Sequence, residues 1–127
     1  MLSEADSINE ECKVVSVNKT GLKGNLVVEL SCDNKKILFD IIESINNFKP
    51  DEKVKAIISK NRPEFGAEDF CGHGYIVTQK KNEESLITII SLFGLLIKVI
   101  EDKNSNFMKK VNLNIMDHIY FCVRKEK

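Results

Sequence analysis

The sequence predicts an all-β domain, on three observations. β-branched and aromatic residues recur in short runs, several alternating apolar with polar as a half-buried strand does. Turn compositions separate the runs: Asn18-Lys-Thr-Gly21, Asp33-Asn34, and a polar stretch holding Pro63 and Gly66. No segment sustains a long helical period. About eight short strands point to a barrel or a sandwich. Closure removes the sticky edges such strands would present, so a small closed eight-stranded antiparallel barrel is expected.

In chain order, Met1 to Glu11 is polar and acidic and is expected to be a mobile lead-in or a short edge segment. Cys12 to Val17 begins the first strand, with Cys12, Val14 and Ser16 on one side and Val15 and Val17 on the other. Leu26 to Cys32 alternates most clearly, with Leu26, Val28, Leu30 and Cys32 on one face. Lys36 to Ile42 follows the Asp33-Asn34 turn, with Phe39 at its centre. Ile45 and Phe48, three apart, suit a single helical turn or an irregular connection, which Pro50 closes because it lacks an N–H and clashes with a preceding turn. Lys53 to Ser59 is a further strand, Lys60 to Asp69 a surface loop, and Phe70 to Lys80 a β-prone run around His73-Gly-Tyr-Ile-Val-Thr78. Lys103 to Asp117, rich in Asn and Lys, suits a loop with one short helical turn. His118 to Arg124 is the last strand, with Ile119, Phe121 and Val123 opposite His118, Tyr120, Cys122 and Arg124.

Ser85 to Glu101 is the densest apolar stretch. Gly94 and the β-branched flanks disfavour one helix, so Leu86 to Ser91 and Leu95 to Glu101 are read as a hairpin joined through Leu92, Phe93 and Gly94. A membrane span needs about 20 largely uncharged apolar residues, and Thr88, Ser91, Gly94, Lys98 and Glu101 interrupt this run. Both faces carry large apolar groups. Ile87, Ile89, Leu95, Ile97 and Val99 share one parity, and Leu86, Ile90, Leu96 and Ile100 the other. A small sheet buries only one face in its own core, so the second is expected under another layer or against a partner protein.

A chain of 127 residues accommodates one barrel domain over 1–127. Lys plus Arg and Asp plus Glu both number 19, which removes any global electrostatic case for wrapping nucleic acid. The start, with Glu4, Asp6, Glu10 and Glu11, is acidic and the end, Arg124-Lys-Glu-Lys127, is basic. No basic region precedes a long apolar run at the amino terminus, so an intracellular protein is expected. Cys12, Cys32, Cys71 and Cys122 form no CxxC pair and are expected as small buried hydrophobes rather than disulfides.

Catalytic signals are few. The sequence has no paired-carboxylate site, phosphate-cradling loop or nucleophile elbow. Cys71-Gly-His73, with His118 distant in sequence, falls short of the three or four protein ligands of a zinc site, so neither metal nor cofactor is expected. Tyr75, Phe93, Tyr120 and Phe121 offer faces on which single-stranded nucleic acid can stack, yet basic residues are not interleaved with them. Tyr120, Arg124, Lys125 and Lys127 equally suit docking on an acidic protein surface.

The carboxyl half resembles a known family, the small shared subunit of the three eukaryotic nuclear RNA polymerases, whose barrel is of oligonucleotide-binding type. The resemblance starts at Arg62-Pro63 and Asp69-Phe70, followed by Gly74 and an aromatic-containing strand. It runs through Ser91-Leu-Phe-Gly-Leu-Leu-Ile-Lys-Val99, similar to the family's Ser-Phe-Gly-Gly-Leu-Leu-Met-Arg-Leu, and ends with His118-Ile-Tyr-Phe-Cys-Val-Arg-Lys125. The chain looks like a compact form with a short Lys60–Asp69 loop. The resemblance implies a noncatalytic structural and assembly subunit of RNA polymerases I, II and III, located in the nucleus and, for polymerase I, the nucleolus. Its partners would be the largest polymerase subunit and neighbouring assembly-platform subunits, with the magnesium chemistry left to the largest subunits. Direct nucleic-acid contact would be minor, and neither membrane contact nor a homo-oligomer is implied. Candidate interface residues are Tyr75, Phe93, Gly94, Leu96, Ile97, Lys98, Tyr120, Arg124 and Lys125. The alternative is a free-standing barrel of the same type that binds single-stranded nucleic acid.

Overall fold

A computed structural model describes residues 7–126. Eight strands form it: β1 (Ser7–Lys19), β2 (Asn25–Cys32), β3 (Lys35–Ile42), β4 (Lys53–Ser59), β5 (Phe70–Lys81), β6 (Ser85–Leu92), β7 (Leu95–Asp102) and β8 (His118–Lys125). One turn of 3-10 helix, Glu43–Ile45, follows β3, and one α-helical turn, α1 (Phe107–Lys110), precedes β8. The strands close in the order β1-β2-β3-β7-β6-β5-β8-β4, with β4 returning to β1 and every pair antiparallel. The expected eight-stranded closed barrel is therefore the fold, and no helix among the described residues is long and apolar enough to cross a membrane.

Alternation turns one face of each strand inward, and the inward set is apolar: Leu26, Val28 and Leu30 on β2, Ile37, Phe39 and Ile41 on β3, Ile119, Phe121 and Val123 on β8. Phe39 is central, with the rings of Phe48, Phe70 and Phe121 at 5.9, 5.3 and 5.4 Å. Such offset and edge-on contacts add to the stabilisation that area burial alone provides. Phe121 is wholly buried there and offers no stacking face to a ligand. Phe107, Met108, Val111 and Leu113 join this core from the short helical segment, whose Asn106 cap accepts the Met108 N–H.

Four sequence expectations change. β1 begins at Ser7, and Ser7 to Glu11 pairs with β4, so this part of the acidic lead-in is barrel wall; Met1 to Asp6 lie outside the described residues. A bulge between Val14 and Ser16 leaves Val15 exposed and reverses the alternation, so Val17 faces Val28 and the core while Ser16 turns outward. In the β6–β7 hairpin the turn contains only Phe93 and Gly94, which pairs Ile90 with Ile97 and Thr88 with Val99. Residues directly opposite share a face, so faces combine even positions of β6 with odd positions of β7. Leu86, Ile90, Leu92, Ile97 and Val99 point in, whereas Ile87, Ile89, Leu96 and Ile100 point out. Finally, the cysteines are not isolated hydrophobes. Cys12–Cys32 and Cys71–Cys122 are disulfides, because each pair stands directly opposite on neighbouring strands, Cα atoms 4.2 and 4.1 Å apart. Separations of 20 and 51 residues hid that register from the sequence.

Candidate interaction surface

The outer wall of β5 and β8 is built by register. His73 lies opposite Tyr120 and Tyr75 opposite His118, and alternation sends all four side chains outward. His118 meets Tyr75 at 5.3 Å and Tyr120 at 5.2 Å between ring centroids; His73 meets Tyr120 at 5.7 Å. Phe93, at the tip of the hairpin, brings its ring edge-on to His73 at 5.1 Å. The tip has positive φ at both positions, 53° for Phe93 and 104° for Gly94. That is the mark of a type I′ turn, where Asn-Gly is favoured and a bulky first residue is disfavoured. Phe93 is nevertheless 73% exposed, so its ring gains little burial within this chain.

Two glycines place this wall. A Cβ on Gly74 would fall 1.8 Å from the Ser91 carbonyl oxygen, and one on Gly72 would fall 3.0 Å from Leu92 Cδ1. β5 thus lies against β6 more closely than any side chain at Gly74 allows, which draws the Phe93 tip over His73. Beside His73 and Tyr120, Arg62 stacks on Phe65 at 5.1 Å, and these residues border a concavity of about 280 Å³.

The other sequence candidates divide. Leu96 is half exposed and shares a shallow groove of about 240 Å³ with Val27, Leu38 and Ile89, with Asp40 and Lys98 as its polar members. Its N–H donates to Asp40 Oδ2 at 2.9 Å. Ile97, 1% exposed, is a core residue and leaves the surface set. Arg124 pairs with Asp69 at 3.6 Å; Lys125 pairs with Glu52 at 3.3 Å, donates to the Asn47 carbonyl and lies 5.8 Å over Phe48. Those two cations tie loops to the barrel, whereas Tyr75, Phe93, Leu96, Lys98 and Tyr120 form the free surface. Sequence reasoning missed His73 and His118 as neighbours. The signal was His73-Gly-Tyr75 and His118-Ile-Tyr120, two identical His-x-Tyr spacings on strands that pair.

At the end of the barrel where β3 starts and β7 finishes, polar groups lie inside. Lys35 Nζ reaches Glu10 Oε2 at 3.1 Å and Asn34 Oδ1 at 2.9 Å. Buried Glu101, paired in register with Lys35, accepts the Phe107 N–H at 3.1 and 3.2 Å. Burial raises the Glu101 carboxyl above its ordinary pKa, with the Phe107 N–H and Lys35 opposing that shift. This cluster fastens the helical turn to the barrel. Among the described residues no group of three or more His, Cys, Asp and Glu is placed to hold a metal ion.

The protein is thus a closed eight-stranded antiparallel barrel with a filled apolar interior and an outer wall that exposes aromatic and aliphatic side chains. Residues 7–126 match the RpbG family of DNA-directed RNA polymerase subunits, and the chain belongs to that family. It is 52% identical over 130 residues to DNA-directed RNA polymerase subunit Rpo8 of Saccharolobus shibatae, covering 98% of each chain. The subunit of the same name from Saccharolobus solfataricus is 51% identical over 130 residues, again with 98% of each covered. That of Sulfolobus acidocaldarius is 43% identical over 117 residues, 91% of this chain and 95% of the relative. The chain is thus an RNA polymerase subunit, and other polymerase subunits are its partners. These relatives are archaeal, so they do not carry the finer assignment to the three eukaryotic nuclear enzymes, nor a nuclear and nucleolar location.

Proposed function

We propose that this chain is a noncatalytic structural and assembly subunit that docks its outer wall on the largest subunit of a DNA-directed RNA polymerase. Phe93 carries the reading: a large ring is held 73% exposed on a turn whose backbone disfavours it. Local rules of this kind are broken where a contact outside the chain compensates. Tyr75 and Tyr120 extend the patch on one side, and Leu96 with Ile89, Val27 and Leu38 extends the apolar area beyond the turn. Aromatic anchors of this type, fully desolvated by a partner, dominate binding energy at protein interfaces. Neighbouring assembly-platform subunits complete the contact in this proposal.

Affinity purification after nuclease treatment, at moderate salt, tests it. Tagged wild-type chain should recover the large polymerase subunits in stoichiometric amount, and a Phe93→Asp, Leu96→Asp double variant with an unchanged circular dichroism spectrum should lose most of them. Absence of those subunits from a soluble wild-type bait, or full recovery by the folded variant, would sink the proposal. Tight oligonucleotide binding by the chain alone, steeply weakened by salt, would favour the nucleic-acid alternative instead.

A further inference from the structure

His73 Nδ1 and His118 Nε2 face each other at 3.0 Å on the outer wall. Across this contact one ring donates its N–H and the other accepts. Both rings are fixed by more than that bond. They stand on paired strands, diagonal to each other in register, and Tyr75, Tyr120 and Phe93 wall them in at ring separations of 5.1 to 5.7 Å. Once the shared proton is moved, two ring nitrogens held on paired strands at such a distance can chelate one ion. With metal–nitrogen bonds of about 2.0–2.1 Å, two ligands at right angles stand about 2.9 Å apart, and two at the tetrahedral angle about 3.3 Å. The observed spacing lies nearer the first.

We propose that His73 and His118 form a two-imidazole site for a divalent cation that prefers tetragonal coordination, Cu(II) or Ni(II), bound through His73 Nδ1 and His118 Nε2. Entry of the ion requires the donating ring to move its proton to its other nitrogen and both rings to tilt, so that lone pairs aimed at each other converge on the metal; starting from two neutral rings, no net proton is released. Imidazole suits these ions, and the remaining equatorial positions open to solvent and take water. No acidic side chain borders the adjoining concavity, and Arg62 does. Its charge opposes the cation, so the two imidazoles bind without electrostatic help from this side. The site belongs to the free chain, because docking of the same outer wall as proposed above would cover it, and it is tested on the chain alone.

Titration of the full-length chain with Ni(II) chloride by calorimetry, and with Cu(II) by electron paramagnetic resonance, tests it. The chain has two histidines in all, so imidazole nitrogen coupling on Cu(II) can arise only from this pair. One equivalent should bind, with two coupled imidazole nitrogens; His73→Gln or His118→Gln should weaken binding roughly tenfold or more, and the double variant should abolish it. Metal-free melting curves of the variants check that the fold is kept. Should a variant misfold, nuclear magnetic resonance of the wild type decides: substoichiometric Cu(II) should broaden the ring protons of both histidines together. Unchanged affinity in the folded double variant, a single coupled nitrogen, or ring protons left sharp would overturn the proposal.

Discussion

Two regions of the barrel handle exceptions to the apolar-inside rule in opposite ways. At the end near α1, charged and polar groups are buried, yet among the described residues no buried side-chain nitrogen or oxygen lacks a hydrogen-bond partner. Lys35 has Glu10 and Asn34, Glu101 has the Phe107 N–H, and Thr88 accepts from Gln79 at 2.9 Å. On the outer wall of β5, β8 and the hairpin tip, rings and aliphatic groups are exposed and touch mainly one another. The first exception is resolved within the chain. The second is left open at the surface of this chain. A polar group inside must be matched during folding because water cannot reach it, whereas an apolar group outside costs little until a partner offers to cover it.

The largest effect is expected where the outer wall is set against β6. Gly74→Ala places a methyl on the Ser91 carbonyl and forces β5 from β6, so the barrel should lose more than about 4 kcal/mol or fail to fold, as urea unfolding would report. A folded alanine variant of near wild-type stability would show that β5 and β6 do not approach so closely.

Next comes a pair of adjacent residues on opposite faces of β7. Ile97→Asp buries an unpaired carboxylate in the core and should cost about 4 kcal/mol or more, whereas Leu96→Asp on the groove should cost less than about 1 kcal/mol. Similar melting temperatures for the two variants would mean that the hairpin register is wrong.

The polar end gives a smaller, pH-dependent effect. Because the Glu101 carboxyl is raised in the fold, the folded state holds a proton there at pH values where the unfolded chain has lost it. Its contribution is therefore fully present below the unfolded value of 4.5 and is lost as pH rises through the folded value. Glu101→Gln keeps an oxygen for the Phe107 N–H but cannot ionise. The stability of the wild type relative to this variant should thus fall as pH is raised from about 4 to 7 in urea titrations; a difference independent of pH would place the carboxyl at its ordinary value.

The smallest effect separates folding from function at the hairpin tip. Phe93→Asn supplies the residue that a type I′ turn favours and should stabilise the isolated chain by about 0.5–1 kcal/mol while reducing polymerase recovery. Loss of stability with unchanged recovery would make Phe93 a structural residue.

Much of this protein was legible from local pattern. Alternation located Leu26, Val28 and Leu30 in the core, a hairpin with Gly94 in its turn followed from a glycine between two β-branched runs, and a short helical turn was expected between Lys103 and Asp117. These features depend on neighbours a few residues apart, and a strand's period of two is visible in one strand alone. Tyr75, Phe93, Leu96, Lys98 and Tyr120, named as candidates from the sequence, keep outward-facing side chains in the barrel.

Tertiary structure decided what depends on pairing between distant strands. One residue more or fewer in a turn, or one bulge, exchanges the faces of a strand; so Ile97 went to the core, Leu96 to the surface, and Val17 inward past the Val15 bulge. The same register joined Cys71 to Cys122 and set His73 against His118, contacts across 51 and 45 residues that no local pattern encodes. By itself the sequence determined that there would be strands and which side chains each could bury. Closing the barrel determined which of those strands met, since only closure sets the register, and register is what turns separate side chains into a surface.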